Sequence, residues 1–204
     1  MSDDVPSRRP GGRTARIRAD VLAALDALLT EQGYDALSIE DVADRSGVHR
    51  TTIYRRWGSV AMLLVDLLHL GTEDDWRPPD TGSLAGDLTA INRELYEALM
   101  VEPSLTTAVI AASFRTPEAA EALSRFWADR YRRSEVVVRR AIERGDIRAG
   151  TDAQQLLVSA TGPLFHQRVL LRRPITRADA DAYAHAALAG VAGPGGDDAA
   201  SHLR

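Results

Sequence analysis

The 204-residue sequence contains no cysteine and no lysine. Without cysteine the chain can form neither a disulfide bond nor a thiolate metal site, which fits a reducing cytoplasm. Because lysine is absent, all 25 basic residues in the lysine-plus-arginine count are arginines. Every cationic contact to a phosphate or a carboxylate must therefore come from a guanidinium group, unless a histidine is charged.

The sequence also has no long apolar run, and its first residues do not resemble a secretory leader. No stretch approaches the roughly 18 apolar residues of a membrane span. The first residues, M-S-D-D-V-P-S-R-R-P-G-G-R, have no hydrophobic core of the kind found in signal peptides. Hydrophobic residues make up 45% of the chain and charged residues 26%, which suffices for a buried core under a solvated surface. We therefore expect a cytoplasmic protein with no membrane segment.

Motifs of the common enzyme classes are missing as well. The sequence contains no H-E-x-x-H, G-x-S-x-G, P-loop or G-x-G-x-x-G. The histidines are scattered and do not have metal-ligand spacing (His49, His69, His166, His185 and His202). The sequence consequently predicts no catalytic residue, no cofactor and no metal site, and an enzyme remains only an alternative interpretation.

The most informative stretch runs from Ser38 to Trp57 and predicts two short helices joined by a tight turn. Ser38 can cap the first helix, and Asp41 follows at the spacing of a capping box. Gly47 stands where the turn requires a residue that tolerates positive φ. Apolar residues at helical spacing supply the inner faces of both helices: Ile39, Val42, Ala43, Val48, Ile53 and Trp57. This pattern is typical of a helix-turn-helix, whose second helix lies in the DNA major groove.

The polar residues of the second helix favour DNA binding. Between Arg45 and Trp57 the sequence has four arginines and no carboxylate, although the whole chain has a net charge of −4. Arginine suits phosphate and guanine, threonine suits a base edge or a phosphate, and tyrosine can donate to phosphate. The alternative is an ordinary solvated helix face. The predicted DNA-binding residues in this stretch are Arg45, His49, Arg50, Thr51, Thr52, Tyr54, Arg55 and Arg56.

These residues carry a resemblance to a known family. Gly33-Tyr34-Asp35-Ala36-Leu37-Ser38, Val42-Ala43, Ser46-Gly47-Val48 and Thr52-Ile53-Tyr54-Arg55-Arg56-Trp57 resemble the TetR family of one-component transcriptional regulators. The resemblance implies an all-helical homodimer with an N-terminal DNA-binding domain and a C-terminal ligand-binding domain. It also implies base reading by Thr51 and Thr52, phosphate or base contacts by Tyr54, Arg55 and Arg56, and a DNA backbone contact at Ser38.

Two positions depart from the family pattern. His49 stands where a small hydroxyl residue is usual, and Val60 stands where a lysine usually grips phosphate. Val60 puts one anchoring contact to DNA in doubt. Arg13 or Arg16, at the start of the chain, could replace that contact.

Helical periodicity and helix-breaking residues predict the remaining organisation. We expect a disordered arm at 1–12, a helix-turn-helix domain at 13–59, a helical ligand-binding and dimerisation domain at 60–192, and a disordered tail at 193–204. In the larger domain, helices are expected near 84–100, 105–114, 117–144, 152–171 and 177–191. Pro163 should kink the fourth of these, because proline removes a helical hydrogen bond.

The larger domain is expected to hold a small-molecule effector and to form the dimer. The predicted pocket residues are Tyr96, Met100, Phe114, Trp127, Tyr131, Phe165 and His166, and their composition favours an uncharged or weakly polar ligand. The predicted dimer interface consists of Leu156, Leu157, Ala160, Leu164, Leu171, Ala178, Ala182, Ala186 and Ala189. Packing within one chain is the alternative for these faces.

The resemblance further implies a repressor that a small molecule releases from its double-stranded operator, which we expect to be palindromic. Two alternatives stay open. One is a helical ligand-binding protein with weak or lost DNA binding, which the valine at position 60 motivates. The other is a transcriptional activator of the same fold.

Overall fold

The computed structural model describes residues 12–73 and 76–191. The predicted tail at 193–204, and all of the predicted arm except Gly12, lie outside the described residues. The all-helical prediction is confirmed. The helices are α1 Gly12–Gln32, α2 Ile39–Ser46, α3 Arg50–Trp57, α4 Val60–Glu73, α5 Leu84–Met100, α6 Leu105–Ser113, α7 Pro117–Arg144, α8 Ala153–Phe165 and α9 Arg177–Ala189. None of them is long and apolar enough to cross a bilayer.

Side chains encoded in the sequence set several helix starts. Ser38 accepts a hydrogen bond from the backbone N–H of Asp41, as predicted, and Ser83, Asp152 and Thr176 cap α5, α8 and α9 in the same way. Each of these oxygens satisfies a backbone donor that has no partner within its helix.

The described residues form two compact units. The first unit comprises residues 12–73 and 108–123, and the second comprises residues 76–107 and 124–191. The predicted boundary between residues 59 and 60 does not coincide with this division. Helix α4 belongs to the first unit because Leu63, Leu64 and Val65 are buried there. The functional domains predicted from the sequence remain a prediction.

Helix α1 provides much of the core of the first unit. It buries one stripe of its surface, and α2, α3 and α4 contribute the other large side chains. The buried residues of these four helices include Val21, Leu22, Leu25, Leu28, Leu29, Ile39, Val42, Ile53, Trp57, Leu63 and Leu64. This packing leaves the opposite face of α3 on the surface.

In the second unit, α5, α8 and α9 pack against one another, with α7 alongside. The buried Asn92 of α5 joins these helices, because its amide donates to the carbonyl oxygens of Ala160 and Ala180, both at 2.9 Å. Replacing Asn92 with an apolar residue would remove the hydrogen bonds that join α5 to α8 and α9.

This packing corrects part of the predicted dimer interface. The side chains of Leu156, Leu157, Ala160 and Leu164 are at most 3% exposed, since they pack on α5, α7 and α9 of their own chain. They are therefore core residues and cannot form a surface for a partner. Helix α8 ends at Phe165, and a π-helical turn, His166–Leu170, follows.

Candidate nucleic-acid interface

Helix α3 buries one face and exposes the other. Ile53 is 0% exposed and Trp57 is 7% exposed, so these two side chains fix the inner side of the helix. The predicted contact residues lie on the rest of its surface. Exposed residues are His49, Arg50, Thr51, Tyr54, Arg55 and Arg56, and Thr52 is half-buried. No predicted base-reading residue of α3 is in the core.

The turn before α3 has the predicted backbone geometry. Gly47 ends α2 with φ 68° and ψ 11°, in the left-handed region that a residue with a Cβ rarely adopts. His49 then precedes the first residue of α3, and its Nδ1 lies 2.9 Å from Oγ1 of Thr51. These contacts place His49 and Thr51 together at the start of the recognition helix.

Asp66 of α4 holds the end of α3 in place. Its Oδ2 accepts a hydrogen bond from Nε1 of Trp57 at 2.8 Å, and its Oδ1 accepts from Nη2 of Arg18 on α1 at 2.7 Å. Burial raises the pKa of Asp66, but the hydrogen bonds from Arg18 and Trp57 outweigh it, so the pKa lies below its ordinary value. One carboxylate thereby connects α1, α3 and α4.

The structure gives Arg45 a partner that the sequence did not predict, and its predicted contact with DNA stays a prediction. Arg45 lies in the last turn of α2, and its two terminal nitrogens donate to Oε1 and Oε2 of Glu31 at 2.8 and 2.6 Å. These hydrogen bonds hold the pKa of Glu31 below its ordinary value. The sequence between Arg45 and Trp57 could not reveal this pair, because Glu31 comes from α1. The charge of Arg45 is therefore already matched by a carboxylate.

The other arginines of the interface differ in whether they have a partner within the chain. Among the described residues, no carboxylate pairs with Arg50 or Arg55. Arg56 lies over the ring of Trp57 and donates to the carbonyl oxygen of Thr14 at 3.1 Å. The start of α1, with Arg13 and Arg16, therefore lies close to the end of α3. Val60 is the half-buried first residue of α4.

Five of the seven predicted pocket residues lie near one another in the second unit. Tyr96, Met100, Trp127 and Phe165 pack against the cluster of Leu95, Leu99, Leu164, Ile175 and Ala180. Trp127 meets Phe126 and Phe165 edge to face, at centroid distances of 5.0 and 5.1 Å, and lies 6.2 Å from Tyr131. The sequence therefore identified an aromatic cluster, here called the Trp127 cluster. It consists of Tyr96, Met100, Phe126, Trp127, Tyr131 and Phe165.

The remaining two predicted pocket residues lie outside this cluster. Phe114 is 82% exposed and belongs to the first unit, because it follows the end of α6. His166 is exposed, since it opens the π-helical turn instead of continuing the buried side of α8. Neither residue belongs to the Trp127 cluster.

The rest of the predicted dimer face is on the surface. Its exposed members are Leu171, Ala178, Ala182, Ala186 and Ala189. Val158 on α8 is 44% exposed and was not predicted. The seven-residue spacing of the leucines, including Leu157, marks the buried side of α8, and Val158 lies on the other side.

A capped helix, a glycine turn and an exposed arginine-bearing second helix define a helix-turn-helix DNA-binding protein. Residues 21–67 match the family model described as bacterial regulatory proteins, tetR family, and residues 78–187 match the tetracyclin repressor-like C-terminal domain. The chain belongs to the TetR family of transcriptional regulators. This family is not one of enzymes, in agreement with the absence of a catalytic motif.

Individual relatives agree with this assignment. The transcriptional regulator AqdR of Rhodococcus erythropolis is 36% identical over 157 residues, which cover 76% of this chain and 74% of AqdR. The DNA-binding transcriptional repressor TetR of Mycobacteroides abscessus is 31% identical over 156 residues, covering 74% of this chain and 82% of the relative. The crystal structure of the TetR family regulator SCO0332 superposes with a TM-score of 0.70 at 31% identity, covering 87% of this chain and 100% of that chain.

Proposed function

We propose that this regulator is a cytoplasmic homodimeric repressor that leaves a palindromic operator when a small molecule binds its C-terminal domain. The observation that carries the proposal is the exposed face of α3, where Arg50 and Arg55 have no carboxylate partner among the described residues. A guanidinium without an internal partner can neutralise a DNA phosphate and release its counterions.

The two α3 helices of a dimer would enter successive major grooves. Thr51 and Thr52 would contact base edges, while Tyr54, Arg55 and Arg56 would contact phosphates or base edges and Ser38 the backbone. Half-sites should lie about 34–36 Å apart, one helical turn of DNA, or at a suitable offset along the duplex. Arg45 is not included, because Glu31 already binds both of its terminal nitrogens.

The exposed parts of α8 and α9 support the dimer. Ala178, Ala182 and Ala186 recur every four residues on α9, and Val158 lies exposed on α8. Small side chains allow helices of two chains to approach closely, and a two-fold axis would pair each face with its own copy. The paired operator half-sites require the same symmetry.

The Trp127 cluster supports a ligand of low polarity. Its aromatic rings are half-buried except for the buried Phe126, and the hydroxyls of Tyr131 and Thr161, 3.0 Å apart, offer one polar contact beside them. A ligand would release DNA if it bound more tightly to a state of the dimer with misplaced α3 helices. The relative from M. abscessus carries the name of a repressor, which favours repression over activation.

Selection from a random duplex pool tests the proposal and does not require the operator sequence in advance. We expect the purified protein to enrich one palindromic sequence and to sediment as a dimer, both free and on that duplex. A pool that shows no enrichment at low salt would instead support a ligand-binding protein without DNA binding. A monomer bound to an unpaired site would contradict the symmetric dimer.

Replacing Arg55 with alanine should weaken binding to every duplex by about tenfold or more, because a phosphate contact is lost from each chain. The slope of log affinity against log salt should become shallower by about 0.9 for each lost contact. Fluorescence anisotropy titrations of the selected duplex at several salt concentrations measure both quantities.

Arg45→Ala is the matched control for this experiment. The same charge is removed, but from a pair with Glu31, so the salt slope should not change. Equal slopes for Arg55→Ala and the unaltered protein would contradict the phosphate contact at Arg55. Thr52→Ala should instead change which duplex is preferred at one position of each half-site.

A further inference from the structure

Glu40 is a carboxylate within the surface that we propose to face DNA. Glu40, in the first turn of α2, is exposed, and the hydroxyl of Tyr54 on α3 donates to its Oε1 at 3.3 Å. No arginine among the described residues pairs with it. No arginine therefore compensates the carboxylate of Glu40 at the surface that should meet DNA.

The surroundings of Glu40 leave room for a base edge. A concavity of about 590 Å³ is lined by Glu40, Ala43, Asp44, Gly47, Val48, His49 and Arg50. Its lining combines small and apolar residues with a second carboxylate, Asp44, and with Arg50, the first residue of α3. Glu40 thus lies on the same concave surface as the start of the recognition helix.

A carboxylate at this position acts differently on the two parts of DNA. It repels a phosphate group, so it weakens any complex in which the backbone comes close. It accepts a hydrogen bond from an exocyclic amino group in the major groove, for which cytosine N4 is the common partner of glutamate. Together these two effects lower the affinity for most DNA sequences more than the affinity for a sequence that places a suitable amino group beside the carboxylate.

We propose that Glu40 is a specificity-determining residue that rejects non-cognate DNA and accepts a hydrogen bond from a base amino group, with cytosine as its partner. The hydroxyl of Tyr54 donates to one carboxylate oxygen and leaves the other for the base, so in this arrangement Tyr54 does not donate to a phosphate. The proposal rests on the proposed docking of α3 in the major groove. It extends that docking by assigning a base-reading role to the first turn of α2, where the sequence predicted a DNA contact only for the cap, Ser38.

Glu40→Gln separates charge from shape, because glutamine has nearly the same size and keeps an acceptor oxygen. Affinity should be measured for the selected duplex and for a mixed-sequence duplex of equal length, at fixed salt. We expect the glutamine variant to bind the mixed-sequence duplex more tightly and the ratio of the two affinities to fall by about tenfold. Repeating the selection with this variant should weaken the preference for a C·G pair at one position of each half-site, because a neutral amide oxygen is a weaker acceptor than a carboxylate.

Glu143→Gln on α7 is the control, since it removes the same charge from an exposed glutamate outside the interface. Its affinity ratio should equal that of the unaltered protein, and thermal unfolding should confirm that both variants are folded. An unchanged or higher ratio for Glu40→Gln would overturn the role of Glu40, even if the unaltered protein selects an operator. A protein that selects no duplex at all would overturn the proposed function and this inference together.

Discussion

Replacing Asp66 with alanine is expected to destabilise the first unit by about 3 kcal/mol, because Arg18 and the indole N–H of Trp57 both lose this acceptor. The Arg18 and Asp66 side chains are only 21% and 24% exposed, so water compensates this loss incompletely. Amide hydrogen exchange, followed by mass spectrometry on the full chain, should show faster exchange in α1 and α3. DNA affinity should fall as well, because Trp57 is the last residue of the recognition helix.

The destabilisation caused by Asp66→Ala should become smaller at acidic pH. The pKa of Asp66 lies below its ordinary value of 3.8 in the folded chain, so its charged form is stabilised by folding. Its contribution is therefore complete above about pH 4 and is lost as the pH falls through the lowered pKa. The difference between the unaltered protein and Asp66→Ala should shrink below pH 4.

Asp20→Ala is the matched control on α1. Asp20 is half exposed and lies 3.9 Å from Arg16, so its loss should cost less than about 0.5 kcal/mol. If Asp66→Ala exchanged no faster than Asp20→Ala at neutral pH, the connection between α1, α3 and α4 would carry no stability.

Replacing Gly86 with alanine should destabilise the second unit by about 2–3 kcal/mol. A Cβ at this position would lie 2.2 Å from Oγ1 of Thr81 and 3.0 Å from its Cβ, so Thr81 would have to move. The backbone N–H and the hydroxyl of Thr81 donate to Oδ1 of Asp87 at 2.7 and 2.8 Å. Because Asp87 is 0% exposed, the displaced carboxylate oxygen would be left buried without these donors.

Thermal unfolding of the full chain measures the result, with hydrogen exchange in α5 to locate it. Gly162→Ala is the control, because no atom lies within 4 Å of a Cβ built there and alanine favours a helix interior. That variant should be neutral or slightly more stable. If the Gly86→Ala protein were as stable as the Gly162→Ala protein, the hydrogen bonds from Thr81 to Asp87 would not contribute to stability.

Local signals in the sequence were sufficient for the helices and for the recognition face. Ser38 and Gly47 delimit α2 through a side-chain cap and a positive φ, both of which act within a few residues. The spacing of Ile53 and Trp57 decided which side of α3 is buried and therefore which arginines are exposed. These features are local, so the order of residues reveals them.

Pairing and burial between distant segments could not be read in the same way. Glu31 and Glu40 each lie 14 residues from the partner that they bind, Arg45 and Tyr54, and no spacing within one helix reveals such contacts. Periodicity likewise marked α8 as having an apolar side, but it could not say that this side packs against its own chain.

The sequence by itself determined the family, the helices and the exposed face of α3, because capping, periodicity and the family motif are properties of neighbouring residues. Only the tertiary structure decided which charges on that surface are compensated, and which apolar faces remain for a second chain. Charge compensation and burial depend on distances between helices that are remote in sequence, and those distances exist only once the helices have packed.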